Sequence, residues 1–198
     1  MSVQLRPGLA PAHRAAAARL YWAAFGAKLG RVLGPEPLAL RFIAQVIDES
    51  HAVSALSPDG ALIGIIGFRT HQGTFVGGGL GDLQAVYGRW GGAWRFAALA
   101  SLAFDGERRA MMVDGVAVAP EWRGAGIGAR LIEAACAEAE ARGFSHLRLD
   151  VVDENPRARA LYDRLGFQVE RRRRPILSGR LFGFAGASVM QRDLGARP

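Results

Sequence analysis

The sequence predicts an α/β fold. Three observations predict it. From 111 to 165 the pattern runs strand, glycine-rich loop, helix, strand, helix, which implies a parallel strand pair joined by a right-handed crossover. Upstream, two helical patterns lead into two strand patterns joined by a turn sequence. The 198 residues, 50% hydrophobic and 22% charged, suffice for one domain with a substantial core and are short for two. That balance belongs to a soluble globular chain rather than a disordered one.

The elements follow in order. Val3 to Arg6 reads as a short strand. Pro11 opens a helix with Leu20, Tyr21, Ala24, Phe25 and Leu29 at helical spacing. A second helix is expected from Glu36 to Ile47, introduced by Pro35 and Pro37. Ala52 to Leu56 and Leu62 to Thr70 read as strands joined at Pro58-Asp59-Gly60. Residues 72–108 begin glycine-rich and continue through Leu83, Val86, Tyr87, Trp90 and Trp94, which suggests one or two short helices. Met111 to Val118 is a strand. Gly128 to Arg142 is a helix with Leu131, Ile132, Ala135 and Cys136 inward, stopped by Gly143. His146 to Val152 is a strand, Pro156 to Leu165 a helix closed by Gly166. Phe167 to Arg172 and Ala187 to Asp193 complete the strands. No internal repeat or long linker is visible, so residues 1–198 are expected to form a single domain.

The net charge is +7. Lys28 is the only lysine, so nearly all positive charge is arginine, the better fork for phosphate and carboxylate oxygens. A basic surface suits a nucleic acid, an acidic partner or a phosphorylated cofactor; abundant Ala, Gly and Arg together also reflect coding bias. Cys136, the one cysteine, excludes an intrachain disulfide and a cysteine-built metal site, and its helical context reads as a small buried residue. No metal site is expected. No apolar stretch approaches the roughly 20 residues needed to span a membrane. The start lacks the order of a signal peptide, and a cytoplasmic location is the expectation.

Two motifs carry chemistry. In Val116-Ala117-Val118-Ala119-Pro120-Glu121-Trp122-Arg123-Gly124-Ala125-Gly126-Ile127-Gly128-Ala129 a strand ends, a glycine-rich loop follows and a helix begins. Glycines admit close backbone approach, the open N–H groups of a helix start favour anionic oxygens, and Arg123 adds a fixed charge. A pyrophosphate suits that arrangement. The dinucleotide fingerprint needs Gly-x-Gly-x-x-Gly tight against the strand, whereas the spacing here is Gly-x-Gly-x-Gly after an inserted Pro120 to Arg123. A P-loop needs a lysine that is absent. A glycine turn holding no ligand remains the plain alternative. In the second motif, Asn155 can cap a helix opened by Pro156, and Ala158, Leu161, Tyr162 and Leu165 share one face.

Together the motifs resemble the GNAT superfamily of N-acetyltransferases. Arg123 to Gly128 matches that family's Arg/Gln-x-x-Gly-x-Gly/Ala loop. Asn155 to Phe167 matches its Asn-x-x-Ala-x-x-Leu-Tyr-x-x-x-Gly-Phe helix. The run from Trp90 to Phe167 resembles a bacterial branch of the family. The resemblance implies a mixed, mostly antiparallel central sheet flanked by helices, with a splayed parallel pair of central strands. It implies acetyl-CoA as co-substrate and transfer to an amine without a covalent enzyme intermediate or a metal.

Residue by residue, it implies that main-chain groups of Val116, Ala117 and Val118 meet the pantetheine arm and thioester. It implies that main-chain N–H groups from Gly124 through Ala125, Gly126, Ile127 and Gly128 to Ala129, beside Arg123, hold the pyrophosphate. Asn155 would bond the pantetheine, and Tyr162 would protonate the leaving thiolate. Asp150, at a strand end, resembles the position of a glutamate base in the ribosomal-protein alanine acetyltransferases. Asp114 shares a face with Val116 and Val118 by strand alternation and is the second candidate base. A solvated strand-end carboxylate is the plain reading of each, and a core aromatic that of Tyr162. Glu107, His71 and His146 are weaker candidates.

The acceptor amine, small molecule or protein, is not encoded in a readable motif. Residues 72–108 form a longer helical insert than the family usually has there; Trp90, Trp94, Arg95, Phe96 and Phe104 could line an acceptor pocket, form a lid or join two copies as a homodimer. Arg171-Arg172-Arg173-Arg174 lacks interleaved aromatics and reads as a solvated turn, so no nucleic-acid partner is expected, nor a membrane. A catalytically silent acyl-CoA-binding or regulatory module is the alternative function.

Overall fold

The computed structural model describes residues 3–101, 109–173 and 186–195. Its elements run β1 (Gln4–Pro7), a 3-10 turn (Pro11–His13), α1 (Arg14–Leu33), α2 (Glu36–Val46), β2 (Ala52–Leu56), β3 (Leu62–Arg69), α3 (Leu80–Ala100), β4 (Ala110–Val118), a second 3-10 turn (Pro120–Trp122), α4 (Ile127–Ala141), β5 (His146–Val152), α5 (Pro156–Arg164), β6 (Gln168–Arg173) and β7 (Ala187–Asp193). The strands form one seven-stranded sheet in the order β1-β2-β3-β4-β5-β7-β6. Every neighbouring pair is antiparallel except β4 with β5. This is the mixed, mostly antiparallel sheet that the resemblance implied. Among the described residues, no helix is long and apolar enough to cross a membrane.

Two apolar layers cover the sheet, one on each face. On one face, Leu131, Ile132 and Ala135 of α4 pack with Met111, Val113, Leu147 and Leu149, and Ala158, Leu161 and Tyr162 of α5 lie against them. Cys136 belongs to this layer, and burial pushes its thiol up to about 11. The other face is covered by α1, α2 and α3 through Ala17, Ala18, Phe42, Ile43, Leu83 and Val86. Arg14 latches the start of α1 to the end of α2 by donating to the carbonyls of Ala44 and Ile47 and to Glu49.

The expected one or two short helices of the insert are a single run, α3, bent where Gly88 takes φ 74°. It docks on the α1–α2 corner. The Tyr87 hydroxyl donates to the Leu33 carbonyl at 2.5 Å, and Arg95 donates to the Gly34 carbonyl at 3.0 Å. The Arg95 guanidinium also covers the rings of Tyr87 and Trp94. Trp90 projects outward, 90% exposed. Glu107, Phe104 and Arg174 lie outside the described residues.

The strand β4 departs from simple alternation. Its register with β3 pairs Gly115 with Gly67 but Val113 with Phe68, so Asp114 is an extra residue. Such a bulge shifts the side-chain phase by one. Met111 and Val113 pack toward α4, and beyond the bulge Val116 and Val118 do so too. Ala117 joins the layer on the α1 side.

Candidate active site

The parallel pair β4–β5 is short. Its register runs from Ala110 opposite His146 to Val113 opposite Leu149 and stops there. Both strands continue, β4 to Val118 and β5 to Val152. Past that point each is tied outward only: Gly115 to Val118 pair with β3, and Asp150 to Val152 pair with β7. A gap therefore opens between the strands, lined on the β4 side by main-chain groups of Val116, Ala117 and Val118 that face no partner strand.

The loop leaving β4 reaches the start of α4. Gly124 has φ +84° and Gly126 φ +75°, backbone positions that side-chain-bearing residues rarely adopt, and a Cβ on either would meet no atom within 4 Å. Twist, not lack of room, calls for glycine there. Gly126 is the N-cap of α4, no side chain caps the helix, and no acidic residue occupies its first turn. The first N–H groups of α4, at Ile127, Gly128 and Ala129, thus point outward beside Ala125 at the positive end of the helix dipole. Arg123 is exposed next to them, its Nε donating to the Val118 carbonyl at 3.1 Å. This donor set is made for an anion.

Across the gap, Asn155 caps α5: its Oδ1 accepts from the Ala158 N–H at 3.1 Å. The side-chain NH₂ is left for other use. One turn on, Tyr162 packs its ring 5.9 Å from that of Phe167. Burial raises its pKa, so the phenol stays protonated at neutral pH.

The bulge decides where Asp114 points. Alternation counted back from Val116 gave it the α4 face; the extra residue instead turns it to the α1 face. There its carboxylate pairs with Arg69 at 2.9 Å and accepts from the Thr74 hydroxyl and the Phe75 N–H. Its side chain is only 7% exposed. Burial raises its pKa more than Arg69 and these donors lower it. Tyr21 of α1 lies nearby, and burial and then Asp114 raise its phenol pKa. Phe25, one turn along, lies so close over the bulge that a Cβ on Gly115 would come within 2.4 Å of its ring.

Asp150 also faces the α1 side, since Leu149 and Val151 on either side of it belong to the α4 layer. The structure thus brings the two carboxylates to one face of the gap and Tyr162 to the other. Arg148, two residues earlier on β5, is buried, pairs with Glu170 and donates to Gln191. His146 pairs with Asp193 at 3.3 Å, and at Ala110 it marks the end of β4 away from the glycine loop. His71 is exposed, its ring 6.1 Å from Phe144.

Sequence reading missed Arg69, Thr74, Tyr21 and Phe25 as site residues. A signal existed in α1: Tyr21 and Phe25 stand four apart on one helix face. None existed for Arg69, which reads as a strand-end charge.

The model of the acetyltransferase (GNAT) family matches residues 15–167. A thialysine N-epsilon-acetyltransferase of Bos taurus is 43% identical over 60 residues, 30% of this chain and 35% of that protein. The chain thus matches about a third of the length of that relative. Among solved structures, a GCN5-related N-acetyltransferase from Kribbella flavida superposes with a TM-score of 0.64 at 18% identity, covering 97% of this chain and 98% of its own. A phosphinothricin acetyltransferase from Sinorhizobium meliloti, solved in complex with acetyl-CoA, gives 0.58 at 20% identity, covering 98% and 90%. At these identities the two structures share the fold with this chain.

Proposed function

Because the chain belongs to the acetyltransferase (GNAT) family, we propose that it moves the acetyl group of acetyl-CoA directly to an amine of a small molecule or of a protein N-terminus or lysine. The observation that carries this reading is the gap past Val113 and Leu149, with an anion-binding helix start at one end.

The residues present fit acetyl-CoA. The N–H groups from Gly124 to Ala129, with Arg123, suit its pyrophosphate. The partnerless main-chain edge of Val116 to Val118 and the Asn155 amide suit the pantetheine amides running into the gap. Thioester aminolysis then needs three things from the chain. The amine must be neutral to attack, so a base takes its proton, directly or through water. We assign that base to Asp150, with Asp114 second, because Arg69, Thr74 and Phe75 already hold the Asp114 oxygens. N–H donors along β4 steady the oxyanion that forms at the carbonyl. Tyr162, kept protonated by its burial, gives the departing sulfur its proton. Amine-side and sulfur-side proton traffic run on opposite faces of the sheet, so neither competes with the other.

The test follows free CoA release from acetyl-CoA with a panel of amines and N-terminal peptides, for wild type and Tyr162→Phe. We expect one acceptor class to support turnover. The substitution should lower kcat by about 10²–10⁴-fold while the ring keeps its place against Phe167. Unchanged kcat in Tyr162→Phe would remove the tyrosine from the reaction.

A further inference from the structure

Lys28 is the only lysine of the chain, and it does not sit where surface lysines usually do. Tyr21, Phe25 and Lys28 occupy positions i, i+4 and i+7 of α1, a single stripe of the helix. The first two members are fixed against β4: Tyr21 lies beside Asp114, and Phe25 covers Gly115. The stripe runs on past the bulge, toward the part of β4 from which β5 has separated. Lys28, half-buried, is its next member, within electrostatic reach of Glu154. Glu154 belongs to the β5–α5 connection and precedes Asn155. The lysine is thus bracketed from both strands, by Phe25 over β4 and by Glu154 at the end of β5. Its amine stands on the α1 side of the gap, the side from which an amine must approach. Burial lowers its pKa, only partly offset by Glu154, which raises the fraction of neutral amine at neutral pH.

We propose that Lys28 is an internal acceptor: the protein acetylates its own Lys28 from acetyl-CoA held in the gap. The proposal rests on the acetyl-CoA reading above. Neutral Nζ forms the new bond to the thioester carbonyl carbon. The carbon–sulfur bond breaks with its electron pair on sulfur. The proton lost from nitrogen ends on that sulfur, giving an amide and free CoA. Acetylation removes the cation opposite Glu154 and leaves a neutral amide at the mouth of the gap.

The experiment incubates the full-length protein with acetyl-CoA and no acceptor, then reads intact mass and sequences the peptides by mass spectrometry. Melting with and without acetyl-CoA is recorded on the same sample. The expected result is one acetyl group on Lys28, formed about tenfold or more faster in the folded protein than in the urea-denatured chain, a modest share of what proximity can give. Lys28→Arg should lose that group. Equal rates in folded and denatured protein, or acetylation confined to the N-terminal amine, would overturn the proposal. A rise in melting temperature without acetylated Lys28 would overturn it and leave acetyl-CoA binding standing. Neither melting rise nor acetylation would overturn both.

Discussion

Replacing Gly126 and Gly128 separately by alanine should move stability in opposite directions, although the two residues are neighbours in one motif. Gly126 has φ +75° and no atom within 4 Å of an added Cβ. A methyl there meets no obstacle, so the cost is the left-handed backbone alone, about 1–2 kcal/mol. At about 2–4 °C per kcal/mol for a chain of this size, Tm should fall by about 2–8 °C. Gly128 lies inside α4, and an added Cβ would stand 3.9 Å from Leu161 Cδ2, an ordinary contact. Alanine there gains up to about 1 kcal/mol of helix propensity, and Tm should rise by up to about 4 °C. Acetyl-CoA then separates backbone from ligand. Each methyl lies at the helix start where the pyrophosphate is to sit, so both variants should show a smaller acetyl-CoA-induced rise in Tm than wild type, even the more stable one. Differential scanning fluorimetry with and without acetyl-CoA measures all of this. If Gly126→Ala melts with wild type, the conformational reasoning is refuted. If both variants keep the full ligand-induced rise, the loop is not where the pyrophosphate binds.

Two further perturbations address the other side of the sheet. Asp114 has a folded pKa raised by burial, so its contribution to stability is fully present below the unfolded carboxyl range near about 3.9 and is lost as pH rises through the higher folded value. Urea midpoints of wild type relative to Asp114→Asn should therefore decline from acid toward neutral pH and then level; parallel curves would contradict that sign. Gly115→Ala places a Cβ within 2.4 Å of the Phe25 ring and should cost about 1–3 kcal/mol by overpacking. In the double variant Phe25→Leu/Gly115→Ala part of that loss should return, and strict additivity in the cycle would show that the two residues do not meet.

The sequence made most of the framework legible because its boundaries carry chemical punctuation. Pro35 and Pro37 open α2, Pro58-Asp59-Gly60 turns β2 into β3, and Asn155-Pro156 starts α5. The loop and the capped helix were readable as a pair because each needs particular residue types at fixed spacing. What escaped was anything set by a partner element. Counting by twos from Val116 assigned Asp114 to the wrong face, since the extra residue appears only when β4 is laid against β3. The bend of α3 at Gly88 was invisible among a dozen residues rich in glycine and aromatics. Lys28 read as an ordinary cation, because only the anchoring of Tyr21 and Phe25 shows which way its stripe of α1 is turned.

The bulge in β4 makes chain length, more than residue identity, the constrained quantity at the centre of the sheet. Removing one residue between Val113 and Val116 would restore an unbroken pleat. The four residues from 115 to 118 would then exchange layers: the two valines would turn toward α1 and Ala117 toward α4. No substitution at 114 can do that much. A variant library of this strand should accept many replacements at position 114 and reject nearly every single-codon deletion beside it.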